Sequence, residues 1–196
     1  MSKITEADKV DIRTSASLRI NKYEAADFNE LKASLNALYN VTGWANYADS
    51  VASTINVTSA NTLITNNKLG ANTNETYLPL EIRGSGTLFA GNKITPIRLA
   101  DAYDVRFNLT ISAKSGNPTL IDFILDIGGL ATPTIQIAER ILTAEKSAPY
   151  STSFTIPIFA LATFIANGGQ LFAKVDTGSI TISNRSIFIT RTHSEV

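Results

Sequence analysis

Chemistry at neutral pH draws first on histidine, cysteine or paired carboxylates, and this sequence holds one histidine, no cysteine and 17 acidic residues. His193 lies close to the carboxyl end, where a general base would lack both a pocket and an orienting partner. It reads as a surface group of the tail. No Ser-His-Asp or Cys-His arrangement can be assembled around anything else, and zinc sites of the usual kind have no ligands. Two carboxylate pairs remain. Asp101 and Asp104 stand near the start of an alternating stretch. Asp122 and Asp126 share one face of another, about 13 Å apart at the usual strand rise. That exceeds the roughly 5 to 9.5 Å at which glycosidases set their two carboxyl groups. These acids are expected to project from a sheet or meet basic partners. A calcium site of oxygen ligands stays open, although no EF-hand-like loop occurs. The glycine clusters at Gly84-Ser85-Gly86, Gly128-Gly129 and Gly168-Gly169 lack the spacing and setting of phosphate loops and read as turns. The expectation is a non-enzymatic protein with no cofactor and no metal.

The elements that position these residues change character along the chain. Residues 1–25 have no clear apolar period, bury too little to order themselves, and read as an arm held by something else. A helix follows over residues 27–39. Asp27 suits its N-cap and Glu30 the capping-box position, while Phe28, Leu31, Leu35 and Leu38 form an a/d seam about two heptads long. So short a helix is marginal alone. It needs a surface on its own head or further copies of itself, and the spacing fits both. Asn40 and Gly43 are expected to end it.

From about Ser50 the period becomes two. Val105, Phe107, Leu109 and Ile111 alternate with Arg106, Asn108, Thr110 and Ser112. The same holds for Phe154, Ile156 and Ile158, for Leu171, Ala173 and Val175, and for Ile180 and Ile182. Turn clusters such as Ser115-Gly116-Asn117-Pro118 and Thr177-Gly178 separate them. This predicts an antiparallel sandwich or jelly roll. Two stretches break the alternation. Leu120 to Ile127 is apolar on both faces apart from Asp122 and Asp126, and Ile187-Phe188-Ile189 does likewise. Both faces must then be covered, most economically by another copy, otherwise by the protein's own loops.

A net charge of zero, from 17 basic and 17 acidic residues, argues against a nucleic-acid partner. The polar amino terminus does not read as a signal peptide, and no stretch has the roughly 20 apolar residues of a membrane span. Synthesis in a cytoplasm is expected.

Several segments resemble bacteriophage fibre and decoration proteins that carry a tumour-necrosis-factor-like jelly roll. They are ADFNELKASLNALY at 26–39, DAYDVRF at 101–107, the strand ending DIGG at 126–129, TFIANGG at 163–169 and RSIFITR at 185–191. The likeness spans roughly residues 26–192 and rests on structural signatures, with no shared active site to carry over. It implies a mainly β, antiparallel jelly-roll sandwich at 43–196, a helical neck at 26–42 and an attachment arm at 1–25. It also implies a homotrimer whose inner sheets face the three-fold axis, with the closing strand in that sheet and both termini at the base. The interface would then include Phe28, Leu31, Leu35, Leu38, Ile187, Phe188 and Ile189. The arm would dock to a capsid or other virion protein, so the location would be the virion. The rival is a receptor- or carbohydrate-binding module at a tail tip, recognising a host-surface glycan through exposed aromatic side chains. A polysaccharide-cleaving spike would need paired carboxylates in one groove.

Overall fold

The computed structural model describes residues 27–35, 42–50, 53–129, 136–142 and 147–194. Residues 27–35 are helical (α1). Leu38, Asn40 and the 1–25 arm lie outside the described residues. Gly43 caps no helix: it opens the first strand, β1 (Gly43–Ala48). A Cβ there would collide with the backbone of Leu78 and Pro79, so close backbone approach is what this glycine permits.

The remaining strands are β2 (Ile55–Val57), β3 (Thr62–Leu63), β4 (Phe89–Ala90), β5 (Lys93–Ile94), β6 (Ala102–Ser115), β7 (Leu120–Asp126), β8 (Gln136–Leu142), β9 (Tyr150–Phe159), β10 (Gln170–Val175) and β11 (Ser179–His193), with a short helix α2 (Ala162–Asn167) between β9 and β10. One sheet runs β1-β11-β6-β9, with β2 also on β11; the other runs β3-β10-β7-β8. All these pairings are antiparallel. Their nesting defines the architecture. The pairs β1 with β11, β3 with β10, β6 with β9 and β7 with β8 close one inside the next, like a long hairpin rolled on itself. That is a jelly-roll sandwich, as the alternating stretches predict. Strands β4 and β5 add a small hairpin, turned through Gly91 and Asn92 with φ of 57° and 60°, the left-handed pair that a tight hairpin turn requires.

The predicted alternation is what fills the space between the sheets. Val105, Phe107, Leu109 and Ile111 of β6, Phe154, Ile156 and Ile158 of β9, Leu171, Ala173 and Val175 of β10, and Ile180 and Ile182 of β11 join one buried cluster. Phe154 bridges the sheets: its ring lies 5.2 Å from Phe107 and 4.7 Å from Phe123 of β7. Each such pair contributes about 0.5–1.5 kcal/mol beyond its buried area.

The two stretches that break the alternation are covered differently from the interface expectation. In β7, Ile121, Phe123 and Leu125 face the core, while Ile124 and Asp126 on the other face are also buried within the single chain, Ile124 in register with Phe172. No second copy is needed there. In β11, Ile187 and Ile189 belong to the chain's own core. Their neighbours across β6, Phe107 and Val105, point inward too, and this removes both residues from the predicted interface.

Strand β11 also buries two arginines. A register shift between Ser183 and Ser186, with Asn184 at φ 47°, turns Arg185 inward. Its guanidinium pairs with Asp49 and donates to Thr65 O (2.9 Å), Ser53 Oγ (2.7 Å), Ser53 O (3.3 Å) and Ile182 O (3.2 Å). Burial lowers its pKa from the ordinary value. Removing either member of this pair leaves the other charge stranded, so Asp49→Ala or Arg185→Ala should cost about 3–5 kcal/mol. The shift in urea midpoint measures it. A change below about 1 kcal/mol would mean that the pair contributes nothing of consequence. Phe154→Ala should lose a similar amount, about 3–5 kcal/mol, by opening a cavity.

Candidate functional site

Strand register defines the two ends of the sandwich. Gly43 pairs with Arg191, and Ala102 pairs with both Phe159 and His193, so the chain enters and leaves the head at one end, the base. Ser115 pairs with Ser179 at the opposite end, the tip. His193 is the exposed last residue of β11, and Asp101 and Asp104 are separated by the sheet, the first fully buried and the second exposed. Asp122 sits in register between Lys174 and Arg140, while Asp126 is buried and its Oδ1 accepts the Gly128 N–H at 3.1 Å. Among the described residues, no group of three or more His, Cys, Asp or Glu could hold a metal ion. These carboxylates do not converge on one groove.

What the fold presents instead is uncovered apolar surface. On α1, Phe28, Leu31 and Leu35 lie 43–55% exposed. On the head, Phe188 points to the outer face of the β1-β11-β6-β9 sheet. Its ring stacks on Trp44 (5.2 Å), Trp44 stacks on Tyr77 (4.7 Å), and the Arg106 guanidinium sits 5.3 Å over Phe188. Tyr77 is 51% exposed. Phe188 belongs to an apolar run noted in the sequence, whereas Tyr77 lies in an irregular segment that the Trp44 N–H ties to β1 by donating to Tyr77 O at 2.8 Å.

A second apolar group lies at the base, at the opposite edge of the same sheet. Leu99, Phe159 and Leu161 are 61–69% exposed, and Ile165 adjoins them on α2. The segments holding them are tied by Ala100 N–H to Ala160 O and Ala160 N–H to Asp101 O, both 2.8 Å. Beneath them lies a charged network. Asp101 Oδ2 accepts from Tyr103 Oη (2.8 Å), Arg98 N (3.1 Å) and the buried Arg191 (3.2 Å). Arg191 also pairs with Glu81, which holds Arg98 at 2.6 Å. Burial pushes the Tyr103 hydroxyl far above its ordinary pKa, so it stays a neutral donor. Tyr47 of β1 is a core residue. Its hydroxyl accepts the Leu88 N–H at 2.8 Å and meets Thr87 Oγ1 at 2.9 Å, anchoring β1 to the 87–89 segment.

At the tip, Asp176 organises the turn between β10 and β11. Its carboxylate accepts the N–H groups of Thr119, Leu120 and Thr177 (3.0, 3.1 and 3.0 Å) and the Thr119 hydroxyl. A Cβ on Gly178 would strike the Ser115 carbonyl, and its φ of 65° favours glycine as well.

No protein-family model matches the chain, and no curated protein matches it. Solved structures align at low identity. Eiger TNF from S. frugiperda shares 11% over 79% of this chain and 96% of that chain, with a TM-score of 0.43. The PRD1 vertex protein P5 shares 12% over 79% and 73%, with a TM-score of 0.46. A protein of the disulfide-linked pili of Bacillus endospore appendages shares 13% over 79% and 90%, with a TM-score of 0.38. The jelly-roll assignment stands on the chain's own nested pairings.

The hydrogen bonds to Asp176, the Thr119 hydroxyl foremost, hold its pKa down at about 2. A depressed carboxylate stabilises above its ordinary range and loses that contribution as pH falls through the folded value. Amide exchange at Thr119 and Leu120 should therefore accelerate, beyond the intrinsic pH effect, as pH falls from about 4 to 2. Asp176→Asn should flatten that dependence. An unchanged profile would show that the carboxylate does not hold the tip.

Proposed function

We propose that the chain is a non-enzymatic structural subunit of a bacteriophage virion, a homotrimeric head fibre or capsid decoration protein. The observation that carries the oligomeric part is the uncovered stripe of α1: three large apolar side chains in a/d spacing on a helix too short to stand alone. The virion part rests on the resemblance of the 26–39, 101–107, 126–129, 163–169 and 185–191 segments to phage fibre proteins. The mechanism is mechanical. Residues 1–25 attach to a capsid or other virion protein, the helix aligns three chains, and the jelly rolls project with their tip loops outward. Because the described chain enters and leaves the head at the base, attachment there leaves the tip free. Three tethered heads also multiply the hold on any weak surface ligand.

A second reading, a receptor- or carbohydrate-binding module, draws on the Trp44–Tyr77–Phe188 stack, since part-exposed aromatic rings are what a sugar face packs against. Trp44 is the sole tryptophan, so its fluorescence reports directly on that surface. Saturable quenching by a saccharide, lost in Tyr77→Ala, would favour the glycan module over the structural subunit.

Light scattering tests the main reading. The full chain should show a mass of about three times 21.1 kDa, and Leu35→Asp should dissociate or weaken the oligomer while the head stays folded. Retention of full mass in that variant would overturn the neck role. Deleting residues 1–20 should leave a soluble trimer that no longer joins the particle; incorporation at normal copy number would refute the anchoring role.

A further inference from the structure

We propose that the apolar corner around Phe159 and the aromatic cluster around Trp44 are the two halves of one contact between neighbouring copies of this chain. This rests on the reading of the chain as a self-associating subunit and names the surfaces that meet.

Both groups flank the outer face of the same sheet, on its opposite edges. Trp44 on β1 pairs with Thr190, Thr190 with Asp104, and Asp104 with Pro157 on β9. Phe159, two residues beyond Pro157, therefore stands on the same face as Trp44, about 7 Å nearer the base. Three strand spacings separate the two edges, about 14 Å, so the groups cannot touch within one chain. Between copies they can. When identical subunits are related by rotation, one edge of each meets the opposite edge of the next, and such a head-to-tail contact closes into a ring.

The chemistry suits that occupant. One half offers Leu99, Phe159 and Leu161 largely in water; the other offers stacked aromatic rings with an arginine over the last of them, the residue types that anchor protein interfaces. The outward positions of β9 between tip and corner are Ser151, Ser153, Thr155 and Pro157, so an approaching subunit meets no charge along that edge strand. A net charge of zero removes overall repulsion between copies. Both halves sit toward the base, where β1 receives the chain coming from α1, so chains aligned by their necks bring these edges to a common level.

The 196-residue sequence has no cysteine, which permits a direct test. The double variant Tyr77→Cys with Leu161→Cys and each single variant are oxidised and run on a denaturing gel. A disulfide requires Cα atoms roughly 4.4–6.8 Å apart, so the two positions cannot bond within one chain. The double variant should form covalent two- and three-chain species, and each single variant should remain at one chain mass. In parallel, Phe159→Ser with Leu161→Ser should weaken self-association at least about tenfold, with the circular dichroism of the head unchanged. Cross-linking by Leu161→Cys alone would mean that corner meets corner and would overturn the proposal. Absence of the mixed cross-link while light scattering still shows a multi-chain mass would also overturn it, leaving the fibre reading intact. A single-chain mass for the unmodified protein would remove both.

Discussion

A guanidinium withdrawn from water must have its N–H groups met, or the fold loses more than the arginine can return. This protein accepts that constraint twice on one strand. Arg185 collects the carboxylate of Asp49, a hydroxyl and three backbone carbonyls. Arg191 collects Glu81 and Asp101. Because β11 lies between β1 and β6 in its sheet, these demands reach outward in both directions. Asp49, Ser53 and Thr65, which lie outside the strands, are placed by what Arg185 requires. Segments 81 and 98–101 are placed by what Arg191 requires.

The apolar core and these two charges divide the work. Aliphatic and aromatic side chains between the sheets supply most of the stabilisation, but they are tolerant of small displacements. Directional partners are less tolerant. The bulge that turns Arg185 inward would make no sense without Asp49, and the base corner would have no fixed shape without the Asp101 carboxylate beneath it. The exposed apolar residues Leu99, Phe159 and Leu161 are thus displayed on a scaffold held by charge, which keeps them from collapsing onto the core.

Much of the head was legible from alternation alone, because β6 and β9 each have one wet face and one dry face, and period two reports that difference directly. The alternation failed where both faces are dry. Ile187-Phe188-Ile189 reads as uniformly apolar, and nothing in the residue types says that Ile187 and Ile189 fill the core while Phe188 lies beneath Trp44 and Arg106. Leu120 to Ile127 reads the same way, yet its second face is buried within the chain. The apolar corner was invisible for another reason: Leu99, Phe159, Leu161 and Ile165 come from two separate segments that only the pairing of Ala100 with Ala160 brings together. Buried arginines are equally silent in a sequence, since Arg185 and Arg191 look like any surface cations until the register shift and the partners are known.

The nested closure of the roll has a mechanical corollary. Strand β1 enters at the base and runs toward the tip, and all six of its residues pair with β11. A pull applied at Gly43 along the axis of the head is therefore directed along the strands and across their hydrogen bonds. The six register pairs resist together, in shear, rather than opening one after another like a zip. Tension between the entering and leaving chain, both at the base, would act differently, peeling β1 from β11 starting at the pair between Gly43 and Arg191. A subunit held by its amino-terminal side alone is tethered in the stronger of the two directions.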